Sequence, residues 1–144
     1  MLITEILARN ARMYRDDIAL IEREPAKNRR TTLTWKAFDD QANQVAQALI
    51  KSGIGKGDRV VHLLMNCIEW LPIYFGILRT GAWAVPLNFR FVAKTIGNCV
   101  RISGARCIIF GEEFIDRIDA IRPELGDRID SYIFVGPPRS CPAY

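Results

Sequence analysis

From residue 59 onward the sequence alternates short apolar runs with longer segments of helical period, and that alternation restricts the fold more than any other feature. Residues 59–65 read Arg-Val-Val-His-Leu-Leu-Met, as expected of a strand covered on both faces. Shorter runs of the same kind lie at residues 82–86, 107–110 and 132–135. Between them, residues 66–80, 91–103 and 113–121 place apolar side chains at helical spacing, with Gly81 and Gly104 positioned to end the first two. Asn66 with Glu69 resembles a capping box, while Pro72 predicts a kink or a start nearer Trp70. Short buried strands alternating with helices predict right-handed crossovers. The expected fold is α/β: a mostly parallel, doubly wound, flavodoxin-like sheet with helices on both faces.

The N-terminal part reads differently. Residues 3–14 fit a short amphipathic helix. Residues 17–23 and 31–34 read as strands about the turn Pro25-Ala26-Lys27-Asn28, which predicts an N-terminal β-hairpin. Residues 35–52 carry the clearest helical stripe in the chain: Trp35, Phe38, Ala42, Val45, Ala46, Leu49 and Ile50. Thr34 can cap its first turn, Asp39 and Asp40 lie near its positive end, and Gly53 suits the left-handed position after it.

Composition narrows the function. With 144 residues, 49% of them hydrophobic, the chain suits one domain with a real core. The longest apolar stretch, residues 70–78, is far short of the roughly 20 residues a membrane span needs. Residues 1–15 lack the apolar region of a secretory signal, so a cytoplasmic chain is expected. Net charge is +4 and spread evenly, with no basic stripe, which argues against nucleic acid as a partner. One stretch stands out: residues 70–111 hold Arg79, Arg90, Lys94, Arg101 and Arg106 and no acid. It is either a set of solvated faces or an anion-facing patch. Cys67, Cys99, Cys107 and Cys141 contain no C-x-x-C pair, and His62 is the only histidine, so no metal site is expected.

Most chemical motifs fail on context. Gly53-Ile54-Gly55-Lys56-Gly57-Asp58 has the glycines and lysine of a phosphate cradle, but it leaves a helix and enters a strand. A phosphate loop does the reverse, so this is a helix end and a tight turn. His62 sits inside an apolar strand, and nothing marks a nucleophile for it to activate, so no catalytic residue is assigned. Asp39 and Asp40 are adjacent on a helix and diverge by about 100°, which rules out a carboxylate pair. Glu112 and Glu113 read as helix-start charges. One loop is better placed. Ligands gather beyond the carboxyl ends of strands in open α/β sheets, and Pro86-Leu87-Asn88-Phe89-Arg90 leaves a strand there. Asn88 and Arg90 offer donors to an anion and Phe89 a stacking face; a turn that only packs is the other reading.

At this loop a resemblance emerges. Leu33-Thr34-Trp35-Lys36-Ala37-Phe38, Gly55-Lys56-Gly57-Asp58-Arg59-Val60, Asn66-Cys67-Ile68-Glu69-Trp70, the run YFGILRTGAWAVPLN over residues 74–88, and Ser103-Gly104-Ala105-Arg106 occur in order. Together they resemble the N-terminal part of adenylate-forming enzymes, the acyl- and aryl-CoA synthetase family, across residues 17–135. The resemblance implies a parent ligase that joins a carboxylic acid to CoA through an acyl-adenylate, using ATP and Mg. It implies that residues 1–136 are the first subdomain of the large domain. Residues 137–144, with Pro137, Pro138 and Pro142, are then an extended end and a truncation point. The chain alone is expected to be inactive and to self-associate. By the same resemblance Asn88, Phe89 and Arg90, with Arg117 as the nearest basic residue after the next strand, lie near the nucleotide end of CoA. Relatives often have small residues in this turn, and Phe89 departs from that. The competing reading is a stand-alone flavodoxin-like binding or regulatory module.

Overall fold

The computed structural model describes residues 1–143, which fall into two compact units. One comprises residues 1–53 and 66–80; the other comprises residues 54–65 and the chain from Gly81 onward.

The first unit holds α1 (Ile3–Met13), an antiparallel hairpin of β1 (Ile18–Glu24) and β2 (Arg29–Thr34), α2 (Trp35–Lys51) and α3 (Trp70–Arg79). The hairpin turns as its sequence requires. Pro25 opens a 3-10 turn, and Asn28 takes the left-handed conformation (φ 47°) that asparagine tolerates better than most residues. Thr34 then caps α2, its Oγ1 accepting from the Ala37 N–H at 3.2 Å. Leu7, Phe38 and Ala42 are buried, with Leu20, Leu33 and Phe75 packed against them. Phe38 and Phe75 meet edge to face at 5.2 Å.

Two features bind α2 to α3. At Gly76 a side chain has no room: a Cβ there would lie 2.5 Å from Val45 Cγ1 and 3.0 Å from the Ala42 carbonyl oxygen. One turn on, Arg79 donates through Nη2 to Asp39 Oδ1 at 2.5 Å and through Nη1 to the Asp39 carbonyl at 3.0 Å and Asn43 Oδ1 at 2.8 Å. Both side chains of the ion pair are largely buried. Arg79→Ala is expected to cost about 2–3 kcal/mol, because Asp39 loses charge-assisted bonds at a desolvated position. Chemical denaturation of the variant checks this, and a loss below about 0.5 kcal/mol would reduce the pair to an exposed one.

The start of α3 differs from the capping-box expectation. No helix opens at Asn66; α3 begins at Trp70, with Glu69 as its N-cap and no side-chain cap. Pro72 thereby falls in the first turn, where a missing N–H breaks no helical bond.

The second unit is a four-stranded, wholly parallel sheet in the order β4-β3-β5-β6, with β3 Arg59–Leu63, β4 Trp83–Pro86, β5 Cys107–Gly111 and β6 Ser131–Val135. Two helices, α4 (Ala93–Ser103) and α5 (Ile115–Leu125), cover one face. Val61, Leu63, Ile108 and Phe110 meet Ile96, Val100, Ile118 and Ile121 there. Residues of the opposite parity, Val60, His62, Cys107 and Ile109, are equally buried. The continuous apolar runs of β3 and β5 follow from burial on both faces. Among the described residues the fold is therefore mixed α/β, with the open parallel sheet that the alternation predicts, five α-helices and the N-terminal hairpin expected about Pro25–Asn28.

Boundaries shift where packing decides. Glu112–Phe114 form a 3-10 turn, not the start of α5, and α5 continues through Pro123 to Leu125 because Ile121 and Leu125 are both buried. Pro138–Ser140 form a 3-10 turn in the segment expected to be extended, with the Ser140 hydroxyl donating to the Glu112 carboxylate. Of that expected end, Tyr144 lies outside the described residues.

Arg106 ties the amino ends of three strands together. Its Nε donates to Asp130 Oδ2 at 2.7 Å and its Nη1 to Asp58 Oδ1 at 3.0 Å. Asp58 also accepts from the Gly55 N–H at 2.8 Å. That backbone bond, then the Arg106 guanidinium, holds the Asp58 carboxyl below its ordinary value. The glycine-rich segment thus closes a turn into β3. It is not a phosphate cradle.

Candidate functional site

The loop after β4 is shaped mainly by its own main chain. Leu87 N–H donates to the His62 carbonyl at 3.0 Å, carrying the β3–β4 pairing one step past Pro86. Asn88 then folds the chain back: its Oδ1 accepts from the Arg90 N–H at 2.9 Å and its carbonyl from the Phe91 N–H at 3.0 Å. An asparagine side chain that mimics a turn carbonyl explains why this residue type suits the position.

Arg117, from the first turn of α5, completes the loop. Its Nη1 donates to the carbonyls of Phe89 at 2.7 Å and Phe91 at 3.2 Å, and its guanidinium lies 5.1 Å from the Phe114 ring centroid. The structure thus brings together all four residues marked in the sequence. It gives three of them different work from a phosphate contact: Asn88 and Arg117 hold the loop and half-buried Phe89 packs against the core of the second unit, while Arg90 forms the outer part. Arg90 is exposed, lies 5.4 Å over the Phe89 ring and makes no ion pair among the described residues. It is the cation this loop can turn toward an anion.

Arg117→Ala leaves two loop carbonyls without their charged donor. The expected cost is about 2 kcal/mol, with faster amide exchange at residues 89–91. Arg117→Lys keeps a charged donor but shifts the nitrogen and loses the planar guanidinium beside the Phe114 ring, so it should recover only part of it. Exchange rates at 89–91 unchanged in Arg117→Ala would remove the residue from the loop's support.

The remaining candidates are chemically quiet. His62 is fully buried, and burial lowers its pKa from 6.5 to about 4, so it is neutral at pH 7. Burial also raises the Cys67 and Cys107 thiols to about 12, Cys67 with help from Glu69, so neither is a ready thiolate nucleophile. Among the described residues, no three His, Cys, Asp or Glu side chains group closely enough to hold a metal ion. None of the helices described is long and apolar enough to cross a membrane.

Strand order adds a place that sequence reasoning missed. The chain leaves β3 for β4 on one side and returns to β5 on the other, so the switch point lies between the carboxyl ends of β3 and β5. Side chains pack closely around Gly111, the last residue of β5. A Cβ there would stand 2.8 Å from Glu113 Oε2 and 3.3 Å from Leu64 Cδ2. Glu113 thus sets a carboxylate beside the end of β5, whereas the loop beyond β4 presents the exposed Arg90. Only the spatial order of the strands locates the switch point, and no local motif encodes it.

Fold and loop define a doubly wound type of open α/β protein with its candidate ligand loop beyond the strand ends. Residues 7–138 match the family model described as AMP-binding enzyme, and the chain belongs to that family. It is 36% identical over 92 residues to the long-chain-fatty-acid–CoA ligase FadD13 of Mycobacterium tuberculosis, covering 64% of this chain and 18% of that protein. The acyl-CoA synthetase YngI of Bacillus subtilis, a protein of putative assignment, is 31% identical over 128 residues, covering 85% and 23%. Among solved structures, a Mycobacterium tuberculosis fatty acyl CoA synthetase superposes with a TM-score of 0.82 at 30% identity, over 92% of this chain and 26% of that one. The N-terminal domain of FACL13 from the same organism, with an inhibitor bound, gives 0.82 at 30% identity over 92% and 33%. The chain spans about a fifth of the length of the curated relatives it matches.

Proposed function

We propose that this chain supplies the first, sheet-forming part of the large domain of a cytoplasmic, ATP-dependent acid–CoA ligase. In that reaction a carboxylic acid and ATP give an acyl-adenylate and pyrophosphate, and CoA then takes the acyl group as a thioester. The carrying observation is the family match over residues 7–138, joined to a 30% identical synthetase that superposes over 92% of the chain. ATP, Mg and CoA serve the whole enzyme on this reading, and the 144 residues alone form no thioester.

Residues 1–136 are the scaffold, and the loop beyond β4 is its contribution to ligand binding. Arg90 and Phe89 face the phosphate-bearing nucleotide end of CoA, while Asn88 and Arg117 hold the loop in place. A guanidinium suits that task because it can grip a phosphate with two parallel hydrogen bonds.

Thioester assays on the purified chain and on the enzyme that contains it test the reading. Acyl-CoA should form only with the latter. There, Arg90→Ala should raise the KM for CoA about tenfold, the loss of one charge-assisted contact, and leave acid-dependent pyrophosphate exchange intact. Thioester formation by the 144 residues alone overturns the scaffold role. An equal fall in exchange and thioester synthesis overturns the assignment of Arg90 to CoA.

A further inference from the structure

Among the described residues four arginines lie over aromatic rings, and one of the four contacts differs in kind. Trp83 is exposed beneath Arg59, and Phe89 and Tyr132 are half-buried beneath Arg90 and Arg122. Phe114, whose ring centroid lies 5.1 Å from the Arg117 guanidinium, is only 1% exposed. A ring holds a cation more strongly where water is excluded, so this contact is the firmest of the four.

The ring is a fixed point of the second unit. Phe114 ends the 3-10 turn Glu112–Phe114, which follows β5 directly, and its side chain belongs to the core shared by the sheet and α5. The Ser140 hydroxyl ties the same turn from outside by donating to the Glu112 carboxylate. Gly111 leaves the turn its room: a Cβ there would already lie 3.3 Å from Leu64 Cδ2 and 3.8 Å from Phe114 Cδ2. Phe114 is also the N-cap of α5, and Arg117, three residues on, shares its face of the helix.

The work of Arg117 explains the need for a seat. Its Nη1 serves the carbonyls of Phe89 and Phe91, the residues on either side of Arg90, and both phenylalanine side chains pack against the core. Arg117 has no carboxylate partner among the described residues, so neutral groups alone hold its guanidinium: two carbonyls and one ring. Immobilising a long arginine side chain costs rotamer entropy, which two bonds shared by one nitrogen offset only in part. A ring that cannot itself move supplies a further hold.

Resting on the reading of this loop as facing CoA, we propose that Phe114 is a positioning residue for it. The Phe114 ring seats the Arg117 guanidinium, Arg117 fixes the two carbonyls that flank Arg90, and Arg90 is thereby presented to CoA from one place. Phe114 touches no substrate; its effect passes through Arg117.

Phe114→Leu would also open a cavity in the core, so the test keeps the shape of the ring and weakens only its face. Mono-, di- and trifluorinated phenylalanine in place of Phe114 draw negative charge from the ring face stepwise at nearly constant volume. In the enzyme that contains the chain, amide exchange at residues 89–91 should quicken in that order, about fivefold at the third fluorine. The KM for CoA should rise in the same order, about threefold in all, with kcat changed by less than about twofold. In the Arg117→Ala background the same series should change neither. Flat exchange across the series overturns the seat, whatever happens to KM. An equal gradient in Arg117→Ala overturns the route through Arg117. Quickened exchange with an unchanged KM for CoA overturns instead the reading of the loop as CoA-facing, and with it the part of Phe114 in binding.

Discussion

Gly76→Val is expected to be the most damaging single substitution in the first unit. The Cβ alone would stand 2.5 Å from Val45 Cγ1 and 2.6 Å from Val45 Cβ, and the Ala42 carbonyl oxygen lies 3.0 Å away. Val45 is β-branched and anchored at its own Cβ in α2, and Ala42 presents backbone, so neither can swing aside as a long side chain would. The helices must separate, which opens the contacts around Phe38 and Phe75. Overpacking usually costs about 1–3 kcal/mol, and forced helix separation places this case at or above the upper end. Gly76→Ala should cost less, about 1–2 kcal/mol, since alanine regains up to about 1 kcal/mol of helix propensity. Val45→Ala should relieve part of the clash, so the double variant Gly76→Ala with Val45→Ala should lose less than the summed single losses. Denaturant unfolding of the four proteins measures this. Additive losses would show that the approach of α2 to α3 is not the cause.

Acidification from pH 7 to 4 should remove about 3 kcal/mol of stability through His62. Its folded pKa is about 4 against an ordinary 6.5, lowered by burial in β3. Between those values the unfolded chain binds a proton and the folded chain does not, so stability is full above the unfolded pKa and falls as pH drops toward the folded one. Asp58 acts in a lower window. Its pKa is depressed by the Gly55 backbone bond and by Arg106, so its contribution is present above the ordinary value of 3.8 and declines as pH falls below that. Unfolding curves at successive pH values separate the two groups. His62→Leu should flatten the slope between pH 6.5 and 4 and leave the more acidic part unchanged. An unaltered slope in that variant would assign the acid loss to other groups.

The fold was legible because local pattern and tertiary demand agree in this chain. Residues 60–63 are apolar without alternation because β3 is buried on both faces, and the stripe from Trp35 to Leu49 is the face that α2 turns toward the core, while Ile50, expected in that stripe, is exposed. Thr34 and Asn28 acted where short polar side chains usually act, at a helix cap and a left-handed turn. The capping box at Asn66 failed because its spacing is necessary for a helix start but not sufficient. The backbone there runs irregularly into Trp70, and Pro72 fits best inside a first turn.

The site was legible only in part. Asn88, Phe89 and Arg90 stood out because a strand ends before them in a stretch without acids. That Arg117 reaches the same loop, 26 and 28 residues away in sequence, depends on α5 packing beside the start of α4. So do the divided tasks of the two arginines: one guanidinium is used on main-chain carbonyls and the other points outward. Composition, periodicity and turn chemistry determined the elements and their order, because those are short-range preferences of the chain. Strand order, the close passage at Gly76 and the reach of Arg117 to the loop beyond β4 were decided by tertiary structure alone, since each depends on which distant surfaces exclude water together.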